Sequence, residues 1–208
     1  MNCLINDIQR APEGMHRIAV GVEYDGSRFS GWQWQPGRIS VQEVLEAALS
    51  RVANHTVRVI CAGRTDAGVH GLAQVAHFDT LADRTPYSWQ MGANSGLPPE
   101  VRVTFAKEVL PDFHARSQAI ARYYRYSILS RSASSALDAG RITWTPHALD
   151  PDAMSAAARH LIGDQDFSAF RAQGCQSKSP RRIMHFIHVV QEGDRVHLDV
   201  CANAFVHH

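Results

Sequence analysis

Gly63-Arg64-Thr65-Asp66-Ala67-Gly68-Val69-His70 joins two segments of alternating hydrophobicity, residues 56–62, with Val57, Val59 and Cys61 on one face, and residues 72–79. Alternation over such lengths is the period of a half-buried strand, so the eight residues read as a loop between two strands. Gly63 and Gly68 bracket Arg64, Thr65 and Asp66 and allow a tight connection that turns the carboxylate outward. An exposed loop aspartate has two readings. It makes an Asx-turn or an ion pair with Arg64, or it serves as a nucleophile or general base, with Arg64 keeping it ionised at neutral pH.

The flanking sequence places this loop in an α+β unit. Ile18, Val20, Val22 and Tyr24 alternate along a strand over residues 17–24, and a turn-rich loop over 25–37 follows, carrying Phe29, Trp32 and Trp34. Bulky aromatics in such a loop are expected to fold under it as structural groups. Ser40 and Glu43 form a capping-box pattern ahead of a helix with Val41, Val44, Leu45, Ala48, Leu49 and Val52 on one face. Thr85-Pro86 predicts the start of a short helix through Gly92, and residues 101–109 return to strand periodicity. A second unit is expected after Pro111: a strand over 120–129, a helix opened by Asp150-Pro151 and closed by Gly163, and a hairpin of 185–191 with 195–201 about Glu192-Gly193-Asp194. The expected fold class is α+β, two lobes of mainly antiparallel sheet with helices packed on one side. Residues 1–15 read as a loose tail, 16–110 as the lobe with the Asp66 loop, and 111–208 as the second lobe.

Composition narrows the function. The chain of 208 residues is 45% hydrophobic and 20% charged, which suits a folded globular protein rather than a disordered one. Its net charge of +1 hides two windows without acids: between Asp112 and Asp138 stand Arg116, Arg122, Arg125 and Arg131, and between Asp166 and Glu192 stand Arg171, Lys178, Arg181 and Arg182. Such stretches suit a polyanion or are solvated faces, and guanidinium pairs phosphate in a bidentate way that ammonium cannot. Cys3, Cys61, Cys175 and Cys201 are scattered without metal-ligand spacing and read as reduced thiols, with no metal site. No apolar run has the length of a membrane span and no signal-peptide core precedes the first strand, so the expected location is the cytoplasm, without a membrane partner.

Residues 63–70 closely resemble the catalytic motif of the tRNA pseudouridine synthase A family. Other blocks agree in order. Tyr24-Asp25-Gly26-Ser27-Arg28-Phe29-Ser30-Gly31-Trp32-Gln33 before Ser40-Val41-Gln42 resembles the family's N-terminal signature. Phe113-His114-Ala115-Arg116 followed by Tyr124-Arg125-Tyr126 resembles its central block. Asp166-Phe167-Ser168-Ala169-Phe170, Cys175-Gln176-Ser177 and Ala202-Asn203-Ala204-Phe205-Val206-His207-His208 resemble its C-terminal signatures. An eight-residue loop supported by ordered blocks is far more specific than a lone motif.

The resemblance implies a fold of pseudouridine synthase type and an isomerase that converts uridine to pseudouridine at positions 38, 39 and 40 of the tRNA anticodon stem-loop, without a cofactor. It implies Asp66 as the essential carboxylate, Tyr124 as the tyrosine packed against the uracil, and Arg64 as a group that holds the vacated space and contacts phosphate; an ion pair with Asp66 remains open for Arg64. The target base must leave its stack to react. Arg122, Arg125, Arg181 and Arg182 are weaker candidates for RNA contact. His70, His114 and His207 are left outside the catalytic set. The family acts as a homodimer across which tRNA lies. Its pattern continues past His208 into an amphipathic helix with a basic residue, so a chain truncated at its C-terminus is expected, with a non-catalytic RNA-binding form as the alternative. A metal-dependent hydrolase built on Asp66 and histidines lacks ligand spacing.

Overall fold

A computed structural model describes residues 10–172 and 179–206; Cys3, Lys178, His207, His208 and the Cys175-Gln176-Ser177 block lie outside them. The chain divides into two compact units, Met1–Ala119 and Ile120–His208. Each is an α+β body.

The first unit is a four-stranded antiparallel sheet in the order β2-β3-β1-β4, from β1 (His16–Tyr24), β2 (Ile60–Cys61), β3 (Gly71–Thr80) and β4 (Val101–Val109). Helices α1 (Val41–Ala53) and α2 (Pro86–Gly96) supply the apolar layer. Ser40 caps α1 by accepting from the Glu43 amide at 3.2 Å, and Asn54 ends it at φ 58°. Thr85 caps α2, with Pro86 in the first turn. Leu45 and Leu49 of α1, Trp89 of α2 and Val20, Val22 and Phe78 of the sheet are all buried in one core.

Three expectations change here. Gly92 does not end α2: a Cβ there would lie 2.8 Å from Val52 Cγ2, so its missing side chain admits α1 and the helix continues to Gly96. The strand expected over 56–62 pairs only at Ile60 and Cys61, because Val57 and Val59 spend their amides on Ser50 Oγ and Glu46 Oε1. The strand β1 is buried on both faces rather than one: Ile18, Val20, Val22 and Tyr24 join the core, while on the alternate face Arg17 and Ala19 are buried and the Phe105 ring occupies the space where a Gly21 Cβ would stand. In the stretch read as a tail, Ala11 is buried and donates its amide to Pro111 O at 2.8 Å.

The second unit is a five-stranded sheet in the order β6-β5-β9-β8-β7, from β5 (Arg122–Ser130), β6 (Thr143–Thr145), β7 (Gly163–Asp166), β8 (Arg181–Glu192) and β9 (Arg195–Ala202). All its pairs are antiparallel except the short β5 and β6 pair. Helix α3 (Pro151–Ala158), capped by Asp150, packs on β8. It stops before Gly163, giving way to a 3-10 turn over Arg159–Leu161, and Gly163 at φ +92° instead opens β7. Phe167, Met184 and Ala202 form a small core with Leu161, Ile187, Phe205 and Val206 against it.

Candidate active-site loop and its surroundings

The loop between β2 and β3 is tied to the sheet at its start. Ala62 N–H donates to Val75 O at 2.8 Å, prolonging the strand pairing. The Gln74 carboxamide then grips Gly63, donating to its carbonyl at 2.5 Å and accepting from its amide at 3.4 Å. Thus Gly63 serves as a pairing point, and the left-handed residue is Gly68 (φ +79°), placed in a turn closed by Val69 N–H to Asp66 O at 3.2 Å.

The end of β1 and the loop after it hold the middle of this segment. Tyr24 OH lies 2.8 Å from Thr65 Oγ1, Trp32 N–H donates to Thr65 O at 2.9 Å, and Gly26 N–H donates to His70 Nδ1 at 3.2 Å. Tyr24 and Trp32 are buried, with ring centroids 5.8 Å apart. Two glycines permit this approach. A Cβ on Gly26 would stand 2.0 Å from Val69 O, and one on Gly31 would stand 2.7 Å from Thr65 O. The backbone under Asp66 is therefore fixed on both sides, while Asp66 and Arg64 themselves are exposed. A carboxylate presented to solvent on a fixed backbone is placed to meet a substrate at little ordering cost.

The sequence reading named neither Tyr24, Thr65 nor Gln74 as positioning groups. Their signal was the pair of glycines in the Tyr24 to Gln33 block, which has meaning only once Gly26 and Gly31 are seen against residues 65–69. Of the three loop aromatics, Phe29 and Trp32 are buried, but Trp34 is 49% exposed. Its amide is tethered to Gln42 Oε1 at 3.1 Å, in a short turn where Gln35 bridges to Arg38, so the ring is left on the surface.

The remaining candidates belong to the second unit. Tyr124 on β5 stands opposite Val200 of β9, half-buried, with its ring edge-on to Phe205 at 5.0 Å and 89°. Arg122, two residues earlier on that face, donates to Asn203 O at 2.6 Å. Arg125 points to the other face and forks onto both oxygens of Asp199 at 2.7 Å. That fork, with help from Tyr123, pulls the buried Asp199 carboxyl down to about 2. Arg181 meets the Asp164 carboxylate at 3.2 Å, and Arg182 donates to Ser179 O at 2.7 Å. Arg64 and Asp66 thus sit two residues apart on one loop of the first unit, whereas Tyr124, Arg122, Arg125, Arg181 and Arg182 share the sheet of the second. Cys61 and Cys201 are free thiols, and burial pushes the Cys61 thiol up. Among the described residues, no helix is long and apolar enough to cross a membrane.

A profile of the tRNA pseudouridine synthase family matches residues 20–116 and 157–208. The chain is 57% identical over 192 residues to tRNA pseudouridine synthase A of Methylococcus capsulatus, an alignment covering 92% of this chain and 71% of that protein. It is 50% identical over 210 residues to the protein of that name from Paracidovorax citrulli, covering 92% and 76%. With that of Nitrosococcus oceani it shares 53% identity over 192 residues, covering 92% and 74%.

Proposed function

The chain belongs to the tRNA pseudouridine synthase family, an isomerase family acting on tRNA, and from this premise we propose that Asp66 is the carboxylate that performs the isomerisation. The observation that carries the assignment is an exposed carboxylate on a backbone held by Tyr24, Trp32 and Gln74.

In the reaction the N1–C1′ bond of uridine breaks, the uracil turns, and a C5–C1′ bond forms. The proton on C5 leaves and N1 gains one, so atoms and electrons balance within the nucleotide. A carboxylate suits this sequence, because it can form an adduct and then depart. The uridine must first swing out of its stack, and an aromatic face is a general means of holding such a base. Tyr124, steadied edge-on by Phe205, fills that role and stands ready to assist removal of the C5 proton. Arg64 occupies the space the base vacates and contacts phosphate. Of the weaker RNA contacts, Arg181 is exposed, Arg122 and Arg182 are half-buried, and Arg125 contributes while forked to Asp199. The proposed substrate positions are uridines 38, 39 and 40 of the anticodon arm, the proposed assembly is a homodimer and the proposed location is the cytoplasm.

Release of tritium from C5-labelled uracil in tRNA tests the assignment. The unsubstituted protein is expected to release label, and Asp66→Asn to lose more than about 10³-fold in rate with unchanged thermal unfolding, since the residue is exposed. An Asp66→Asn chain that turns over normally refutes the role of this carboxylate.

A further inference from the structure

A cavity of about 260 Å³ in the first unit brings together Gln33, Gln42, Cys61, Arg64, His114 and Arg116. Two guanidinium groups line it and no carboxylate does. An anion entering the cavity gains charge-assisted hydrogen bonds from both guanidinium groups.

Arg116 is held at this cavity by the backbone around it. Buried Arg17 donates to Phe113 O at 2.8 Å, Ala115 N–H donates to His77 Nδ1 at 3.2 Å, and Arg116 Nε lies 3.4 Å from Cys61 O. His114 adds a neutral donor. Its Nδ1 accepts the amides of Arg116 and Ser117 at 3.2 and 3.1 Å, which leaves the ring proton on Nε2. Burial, then Arg17 and Arg116, hold this imidazole below its usual range.

The opposite wall is oriented by a buried carboxylate. Glu46 accepts from Val59 N–H at 3.0 Å and from Gln42 Nε2 at 2.8 Å, so Gln42 must turn its Oε1 the other way. That oxygen accepts from Trp34 N–H at 3.1 Å and from Gln33 Nε2 at 2.9 Å. The polarity of the chain is set from Glu46 outward, and Gln33 is left presenting its Oε1 as an acceptor. The cavity therefore offers cationic donors on one side and an amide acceptor on the other. An inorganic anion uses only the first. A ribonucleotide backbone unit uses both, through its phosphate and its 2′-hydroxyl.

We infer that this cavity seats one phosphodiester of the RNA strand, its charge met by Arg64 and Arg116, with the neighbouring ribose hydroxyl donating to Gln33 Oε1. The inference rests on the reading of the chain as a tRNA-modifying enzyme. Binding of an anticodon-arm RNA, measured against potassium chloride concentration, tests it without requiring turnover. Arg116→Gln, an exposed position, is expected to weaken binding roughly tenfold and to make the slope of log K against log salt shallower by about 0.7–0.9. Arg116→Lys keeps the slope, and so does Arg84→Gln, which removes an exposed cation that does not line the cavity. Gln33→Leu is expected to reduce the preference for RNA over its 2′-deoxy counterpart at least threefold. An Arg116→Gln slope no shallower than that of Arg84→Gln overturns the phosphate assignment, and an unchanged RNA preference in Gln33→Leu overturns the ribose contact. Asp66→Asn keeps the full salt slope, so failure of the catalytic assignment and failure of this one are separately visible.

Discussion

Gly31→Ala perturbs the Asp66 loop without changing any side chain assigned to chemistry. Gly31 adopts φ +93°, a region that L side chains rarely enter, and leaving it uncorrected costs about 1–2 kcal/mol. The added methyl would stand 2.7 Å from Thr65 O, 3.1 Å from Asp66 C and 3.2 Å from Ala67 N. All three atoms are backbone, so no rotamer change relieves the overlap, and the segment must move by roughly half an ångström. That shift also strains the Trp32 N–H to Thr65 O bond, now 2.9 Å. A displacement of about 1 Å at a reacting group costs on the order of 10²-fold, so the C5-tritium release rate is expected to fall roughly 10- to 100-fold. Gly37→Ala is the matched control. Gly37 also has positive φ (+69°), but its Cβ would have no neighbour within 4 Å. It should lose about 1–2 kcal/mol of stability in urea titration and keep its activity. A fully active Gly31→Ala chain, or equal loss of activity in both variants, would refute the claim that the loop after β1 holds Asp66 in place.

Two further perturbations test neighbouring parts of the same scaffold. Tyr24→Phe removes the partner 2.8 Å from Thr65 Oγ1 in a buried setting, and should cost about 1 kcal/mol in urea titration and lower turnover severalfold. His77 accepts the Ala115 amide as a neutral ring, and burial, then Arg17 and His114, against the opposing pull of Asp79, hold it down to about 4. Between the unfolded value near 6.5 and the folded value, the unfolded chain takes a proton that the native chain refuses. The stability linked to His77 is thus fully present above about pH 6.5 and lost as pH falls toward 4, by at most roughly 3 kcal/mol. Urea midpoints at pH 7 and pH 4.5 should differ less in His77→Gln than in the intact chain, and an equal difference would remove His77 as the source. Asp199, held down to about 2, acts in a lower window and leaves this comparison intact.

Features encoded within a few residues were legible in the sequence. Ser40 and Glu43 marked the start of α1, Thr85-Pro86 and Asp150-Pro151 those of α2 and α3, and the alternation over residues 101–109 gave β4 its full span. Features that depend on distant partners were not. Gly92 reads locally as a helix stop, yet it is an opening for Val52 of another helix. Residues 56–59 alternate like a strand, but Glu46 and Ser50 of α1 take the amides that a strand partner would need. The three-residue β6 and four-residue β7 are too short to establish a period, and exist because β5 and β8 offer them edges.

The site divides along the same line. Asp66 and Arg64 stood out because Gly-flanked charged residues in a short loop carry a local signal, and the resemblance of eight consecutive residues gave that signal a chemistry. Arg116 was equally visible as a cation in an acid-free window, but nothing near it in sequence connects it to Arg64. The connection runs through Arg17, which forks onto Asp79 at 2.7 Å and donates to Phe113 O, and through His77, which fixes Ala115. A buried arginine is an expensive way to hold a loop, since its desolvation is offset only if every partner is in place. That expense has a consequence for function. The segment 113–116 is clamped across the sheet, from Arg17 of β1 through His77 of β3 to Cys61 of β2, the edge strand that leads into the Asp66 loop, so a strand of RNA meeting Arg64 and Arg116 meets two cations whose spacing is set by the β-sheet of one unit and not by two independent loops. Binding there needs little reordering of the protein, and the energy of the phosphate contact remains available for unstacking the target base.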